Sequence, residues 1–185
     1  MIKEIMSNMS TRMTKTIKVL NEELGSMKAG RANPKMLDKI EAEYYGSMTP
    51  LSQLANISVP EPRILQITPY DKTALKEIEK ALLKSDLGLN PNNDGIVIRL
   101  MIPELTEETR KSLVKTIRKT GEDSKIALRS IRHDSLNKLK SLKKENEITE
   151  DEVKDTEKDI QKEIDKFVKE IDSLISAKEK AVMEV

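Results

Sequence analysis

The chain contains no cysteine and no tryptophan, and only one histidine, one phenylalanine and three tyrosines. Without cysteine there is no disulfide and no thiolate metal site, which fits a reducing compartment. The single imidazole, His133, has no second ligand or general-base partner near it in sequence. It reads as a polar face residue and not as a metal or catalytic centre. Long apolar runs are also missing, so no segment reads as a membrane span. The N-terminus, Met1-Ile2-Lys3-Glu4, places an acid at once and has neither an apolar run nor an Arg/Ser-rich leader behind it. A cytoplasmic location without membrane partners is expected. No Gly-rich phosphate loop and no nucleophile elbow occurs. Asn90-Pro91-Asn92-Asn93-Asp94-Gly95 begins like a calcium loop, but Met101 stands where the twelfth-position Glu would be. That segment is expected to be a turn. A non-enzyme is expected, with no cofactor and no bound metal.

What the chain does have is charge. Asp, Glu, Lys and Arg make up 35% of its 185 residues, against 2% aromatics. This suits long helices that bury one narrow stripe and solvate the rest. The net charge of +1 conceals a division. Residues 106–146 hold twelve Lys/Arg against six Asp/Glu, and residues 147–185 hold seven against thirteen. A basic segment followed by an acidic one points to a partner-facing basic surface.

Along the chain, Ile2, Ile5, Met9, Met13, Ile17, Leu20, Leu24 and Met27 recur at spacings of three and four. The period predicts a helix over 2–29, stopped at Ala29-Gly30 and Pro34. From there the period changes to two. Ile40, Ala42 and Tyr44 alternate with Glu41, Glu43 and Tyr45, which predicts a half-buried strand followed by a turn over 46–50. Short strands are expected at 57–59, 64–67 and 96–102, with a helix capped by Asp71 running to about Lys84. Thr106 is expected to cap a helix reaching about Lys144, and Thr149-x-x-Glu152 forms a capping box that opens another. The last helix carries Val153, Ile160, Phe167, Leu174 and Ala181 at heptad spacing, with Ile164, Ile171 and Ile175 between them. The expected fold is α+β: an elongated antiparallel three-helix bundle formed by 1–30 and 105–185, with a small β/α/β domain inserted at 31–104. Gly30 with Pro34 on the way out, and Pro103 on the way back, mark the two crossings as a plausible hinge.

The basic helix is the informative element. At 100° per residue, Leu113, Ile117, Leu128, Ile131, Leu139 and Leu142 occupy an arc of roughly 80°. Arg132, Lys125, Lys143, Arg118 and Arg129 lie about 40–100° round from Arg110, itself at the border of the apolar arc. Such a stripe can follow a phosphate backbone. It can equally be a solvated face pairing with the acidic last helix. The shortage of aromatics argues against stacking on splayed single-stranded bases and for a double-helical surface met through its backbone.

Several stretches in the right order resemble the ribosome recycling factor family. They are Lys28-Ala29-Gly30-Arg31-Ala32-Asn33-Pro34, Tyr44-Tyr45-Gly46 with Thr49-Pro50-Leu51, and Gln66-Ile67-x-Pro69-Tyr70-Asp71. Ser85 to Pro91, Leu105-Thr106-Glu107-Glu108-x-Arg110-Lys111 and Arg129-x-x-Arg132 continue the match. The resemblance runs from end to end. It implies an L-shaped monomer whose long arm is the bundle and whose short arm is the insertion, turning about an elbow at Gly30, Arg31, Pro103, Glu104 and Leu105. It implies binding to the RNA of the large ribosomal subunit after termination and, with elongation factor G, splitting of the ribosome from its message. Arg110, Arg129 and Arg132 match RNA-contacting positions, Arg31 matches the basic position after the elbow glycine, and Lys28, Arg118 and Lys125 are expected to add to that surface. Lys28 stands where the family usually has Arg, and His133 where a second basic residue often stands. The rival reading is a chaperone-like or structural coiled coil that holds protein through apolar helix tips. The polar turn Lys144-Glu145-Asn146-Glu147-Ile148-Thr149 speaks against it.

Overall fold

The computed structural model describes residues 1–27 and 30–184, and the chain divides into two compact units. The helical unit comprises Met1–Leu24 with Ser112–Lys180, and the mixed unit comprises Gly25–Lys111 with Ala181–Val185.

The helical unit is built from α1 (Ile2–Ser26), α4 (Glu107–Lys144) and α5 (Glu150–Met183), which carry their ends into the mixed unit. Burial follows the apolar period closely. Ile5, Met9, Met13, Ile17, Leu20 and Leu24 are buried on α1, as are Ile117, Leu128, Ile131 and Leu139 on α4. Thr106 opens α4 by accepting the Thr109 amide on its hydroxyl at 3.1 Å. Thr149 and Glu152 open α5 reciprocally. The Thr149 amide donates to Glu152 Oε2 at 2.7 Å, and the Glu152 amide donates to Thr149 Oγ1 at 3.2 Å. Two of the donors left over at a helix start are thereby satisfied.

Helix direction can be read from the cross-links. As residue number on α4 rises through Arg118, Lys125, Arg132 and Lys143, the partner on α5 falls through Glu179, Asp172, Gln161 and Glu150. The two helices are therefore antiparallel neighbours. Arg12 on α1 reaches Asp134 on α4 at 3.0 Å. Gly121 lets α4 and α5 approach: a Cβ built there would lie 2.7 Å from Cγ1 of Ile175.

In the mixed unit, β1 (Glu41–Tyr44) and β2 (Ser47–Pro50) form an antiparallel hairpin, followed by the single-turn helix α2 (Leu51–Leu54). A second antiparallel sheet has the order β3-β4-β6-β5, from β3 (Ala55–Glu61), β4 (Ile64–Pro69), β6 (Ile98–Met101) and β5 (Pro91–Asn93). Pro60 and Pro91 fall on its two edge strands, where no ladder donor is missed. Helix α3 (Leu75–Lys84) buries Leu75, Ile78 and Leu82 in one core with Met36, Leu37, Leu51, Leu65, Ile67, Ile98 and Leu100.

Five sequence expectations need correction. The first helix stops at Ser26, and Met27 is already in a bend, while Ala29 lies outside the described residues. Residues 47–50 are a strand and not a turn, because Tyr45 (φ 47°) and Gly46 (φ 80°) together make the whole reversal. Half of the 90–95 turn is likewise a strand, Pro91–Asn93, held by its pairing with β6 and by Asn93 Nδ2 donating to Glu79 Oε2 of α3 at 2.6 Å. Strand β6 begins at Ile98 and not at Ile96, which is exposed. At the end of α5 the heptad register slips, so that Val182 is buried while Ala181 is exposed.

Candidate nucleic-acid interface

The cations of α4 do not share one fate. Arg118 Nε donates to Glu179 Oε1 of α5 at 2.7 Å, and the carboxylate raises the guanidinium pKa. Lys125 Nζ lies 2.7 Å from Asp172 Oδ1 and 3.5 Å from Glu122 Oε1, with its side chain only 21% exposed. The hydrogen bond to Asp172 raises its pKa and outweighs the opposing effect of burial. For these two the acidic helix supplies the counter-charge internally. Lys143, 3.8 Å from Glu150, has a looser pairing of the same kind.

Arg129 and Arg132 differ. Arg129 is exposed and makes no hydrogen bond or ion pair among the described residues. Arg132 is half-buried and meets a neutral group, with Nη1 donating to Gln161 Oε1 at 3.2 Å. Its Nε is buried without a partner. A guanidinium held by an amide keeps its full charge and its remaining donors for an outside acceptor. Arg110, on the first turns of α4 in the mixed unit, is also half-buried with an unpartnered Nε. Placing it at the border of the apolar arc anticipates that state.

The other expected site residues lie in the mixed unit. Gly30 is buried with φ 75°, in the left-handed region that favours glycine. Arg31 beside it is exposed and borders a hollow of about 360 Å³ with Glu61, Pro62 and Arg63. The Ala32 amide donates to the Pro62 carbonyl at 2.8 Å, and the Ile102 amide donates to the Arg63 carbonyl at 2.7 Å. Arg63 also pairs with Glu104 at 3.1 Å. Pro103 is exposed and Leu105 half-buried. Lys28 lies outside the described residues. The calcium-like run uses its own oxygens. Asp94 Oδ1 accepts from the Ile96 and Val97 amides and Oδ2 from Arg99, which holds the Asp94 pKa down at about 2. Among the described residues no cluster of three or more His, Asp or Glu could hold a metal, and no helix is long and apolar enough to cross a membrane.

Sequence reading missed Gln161. A signal for it exists, because the antiparallel hairpin of α4 and α5 sets an uncharged amide opposite Arg132.

Comparison with known proteins decides the family. A sequence model described as Ribosome recycling factor matches residues 20–183. The chain belongs to the ribosome recycling factor family. Its relatives in this family include the ribosome-recycling factor of Clostridium perfringens (strain SM101 / Type A), 63% identical over 185 residues and covering 100% of both chains. That of Clostridium novyi (strain NT) is 62% identical over the same span, again covering 100% of each chain. A solution structure of the ribosome recycling factor superposes with a TM-score of 0.83 at 36% identity, covering 100% of this chain and 98% of the other. A Thermus thermophilus ribosome recycling factor, described with Escherichia coli elongation factor G bound to the E. coli post-termination complex, matches with a TM-score of 0.68. Its identity is 43%, over 98% of both chains. These likenesses span the helical and the mixed unit alike.

Proposed function

We propose that the chain is a translation factor of the cytoplasm, itself without catalytic activity. It binds the post-termination ribosome and, with elongation factor G, splits it into subunits for another round. The observation that carries this is similarity to ribosome-recycling factors at 63% identity over the full 185 residues. The docking surface is the exposed middle of α4, where Arg129 and Arg132 are left without a carboxylate by their own fold. They neutralise phosphates of large-subunit RNA, with Arg110 and Arg31 extending the contact. The mixed unit is the moving arm, joined at Gly30, Arg31, Pro103, Glu104 and Leu105.

The test is subunit splitting followed by light scattering, with purified post-termination ribosomes, elongation factor G and GTP. Addition of the chain should convert ribosomes to subunits only when the GTPase is present. Splitting at the rate seen without the chain would refute the function. The connection between α4 and α5 is exposed and polar over residues 145–147, so a helix tip that grips apolar protein segments finds no support here.

A further inference from the structure

Four cations of the helical unit reach from α4 across to α5, Lys143 only loosely at 3.8 Å from Glu150, and α5 answers them differently. Glu179 and Asp172 set carboxylates against Arg118 and Lys125, each at 2.7 Å. Gln161 sets an amide oxygen against Arg132 at 3.2 Å. The orientation of that amide is fixed from behind, because Gln161 Nε2 donates to Asp165 Oδ1 at 2.9 Å. Only this orientation puts a donor against the carboxylate and an acceptor against the guanidinium. Arg132 thus has one Nη tied, its Nε buried, and the rest of its fork without a partner among the described residues.

We infer that Gln161 is a positioning residue that aims Arg132 at RNA phosphate without neutralising it, and that α5 thereby selects which cations of α4 engage RNA. This rests on the RNA-docking reading of α4. A cation that must exchange a carboxylate for a phosphate leaves the carboxylate bare beside the RNA, so no net phosphate charge is cancelled. Such a cation adds almost nothing to the release of counterions. A cation held by an amide cancels a full phosphate charge and steepens the dependence of log affinity on log salt by about 0.9. Arg118 and Lys125, which share the stripe with Arg129 and Arg132 by helical angle, therefore contribute little to docking.

The experiment measures affinity of the full chain for purified large ribosomal subunits across a salt series, with a thermal melt of each variant alongside. Gln161→Glu should make the slope shallower by about 0.9, because Arg132 then carries its own carboxylate. Gln161→Met should weaken binding but keep the wild-type slope, since the charge stays free while its aim is lost. A purely structural role for Gln161 would move both variants together. Glu179→Gln should steepen the slope by about 0.9 by releasing Arg118, and Glu122→Gln/Asp172→Asn should do the same by freeing Lys125 from both of its carboxylates. Arg132→Ala separates the two levels of the argument. If Arg132→Ala flattens the slope but Gln161→Glu leaves it unchanged, the inference about Gln161 is overturned and the docking reading stands. Unchanged slopes in both Glu179→Gln and Glu122→Gln/Asp172→Asn overturn the selection by α5. If Arg132→Ala changes neither affinity nor slope, the docking reading itself falls.

Discussion

Gly121 and Ile175 meet so closely that a Cβ on the glycine would lie 2.7 Å from Cγ1 and 2.9 Å from Cδ1 of the isoleucine. Glycine inside a helix costs about 1 kcal/mol relative to alanine, so its presence within α4 needs a packing reason. Overpacking of this kind costs about 1–3 kcal/mol. Gly121→Ala should therefore lower stability by a net of roughly 1 kcal/mol. In an Ile175→Ala background the same substitution should raise it by about that amount, because only the propensity gain remains. Chemical denaturation of the four proteins of the cycle reads this. A stabilising Gly121→Ala in the wild-type background would show that Ile175 rotates aside freely.

The Thr149–Glu152 box predicts a loss confined to folding. Thr149→Ala removes the acceptor of the Glu152 amide and should cost about 1 kcal/mol. Hydrogen bonds from Thr149 lower the Glu152 pKa below its ordinary 4.5. The capping contribution is thus present above that pH and lost as the pH falls further. Denaturation midpoints at neutral and acid pH should differ by less in the variant than in the wild type. Affinity for the large subunit should not change.

Asp94 gives the mixed unit its own acid sensitivity. Amide hydrogen bonds from Val97 and Ile96, followed by Arg99, depress its pKa from 3.8 to about 2. The folded state is favoured by the ionised form. Its contribution is complete above about pH 4 and disappears as the pH falls toward 2. Asp94→Asn should flatten the decline of stability across that window, measured by urea unfolding at a series of pH values. An unchanged acid limb would mean that other carboxylates dominate it.

The three long helices were legible because burial and sequence share one period. Ile5 through Leu24 and Ile117 through Leu139 are buried where the spacing puts them. The capping residues Asp71, Thr106 and Thr149 were legible for the same local reason. Strands β2 and β5 were not, since Ser47–Pro50 has no buried face and Pro91–Asn93 offers a proline and two asparagines with no apolar alternation. Their existence depends on partners, Glu41–Tyr44 for one and Ile98–Leu100 for the other. The interface divides in the same way. Helical angle alone puts Arg118, Lys125, Arg129 and Arg132 on adjoining lines. It cannot say that Glu179, 61 residues away, occupies the first while a neutral amide meets the last. That distinction is tertiary.

The central claim is that Arg129 and Arg132 join the chain to large-subunit RNA. It is tested most directly by co-sedimentation of the Arg129→Ala/Arg132→Ala variant with large ribosomal subunits between about 50 and 200 mM salt, over which each lost phosphate contact is worth roughly threefold. Weaker binding with a slope shallower by about 1.8, at an unchanged melting temperature, is the result expected for two lost phosphates. Wild-type affinity and slope in a folded double variant would contradict the account.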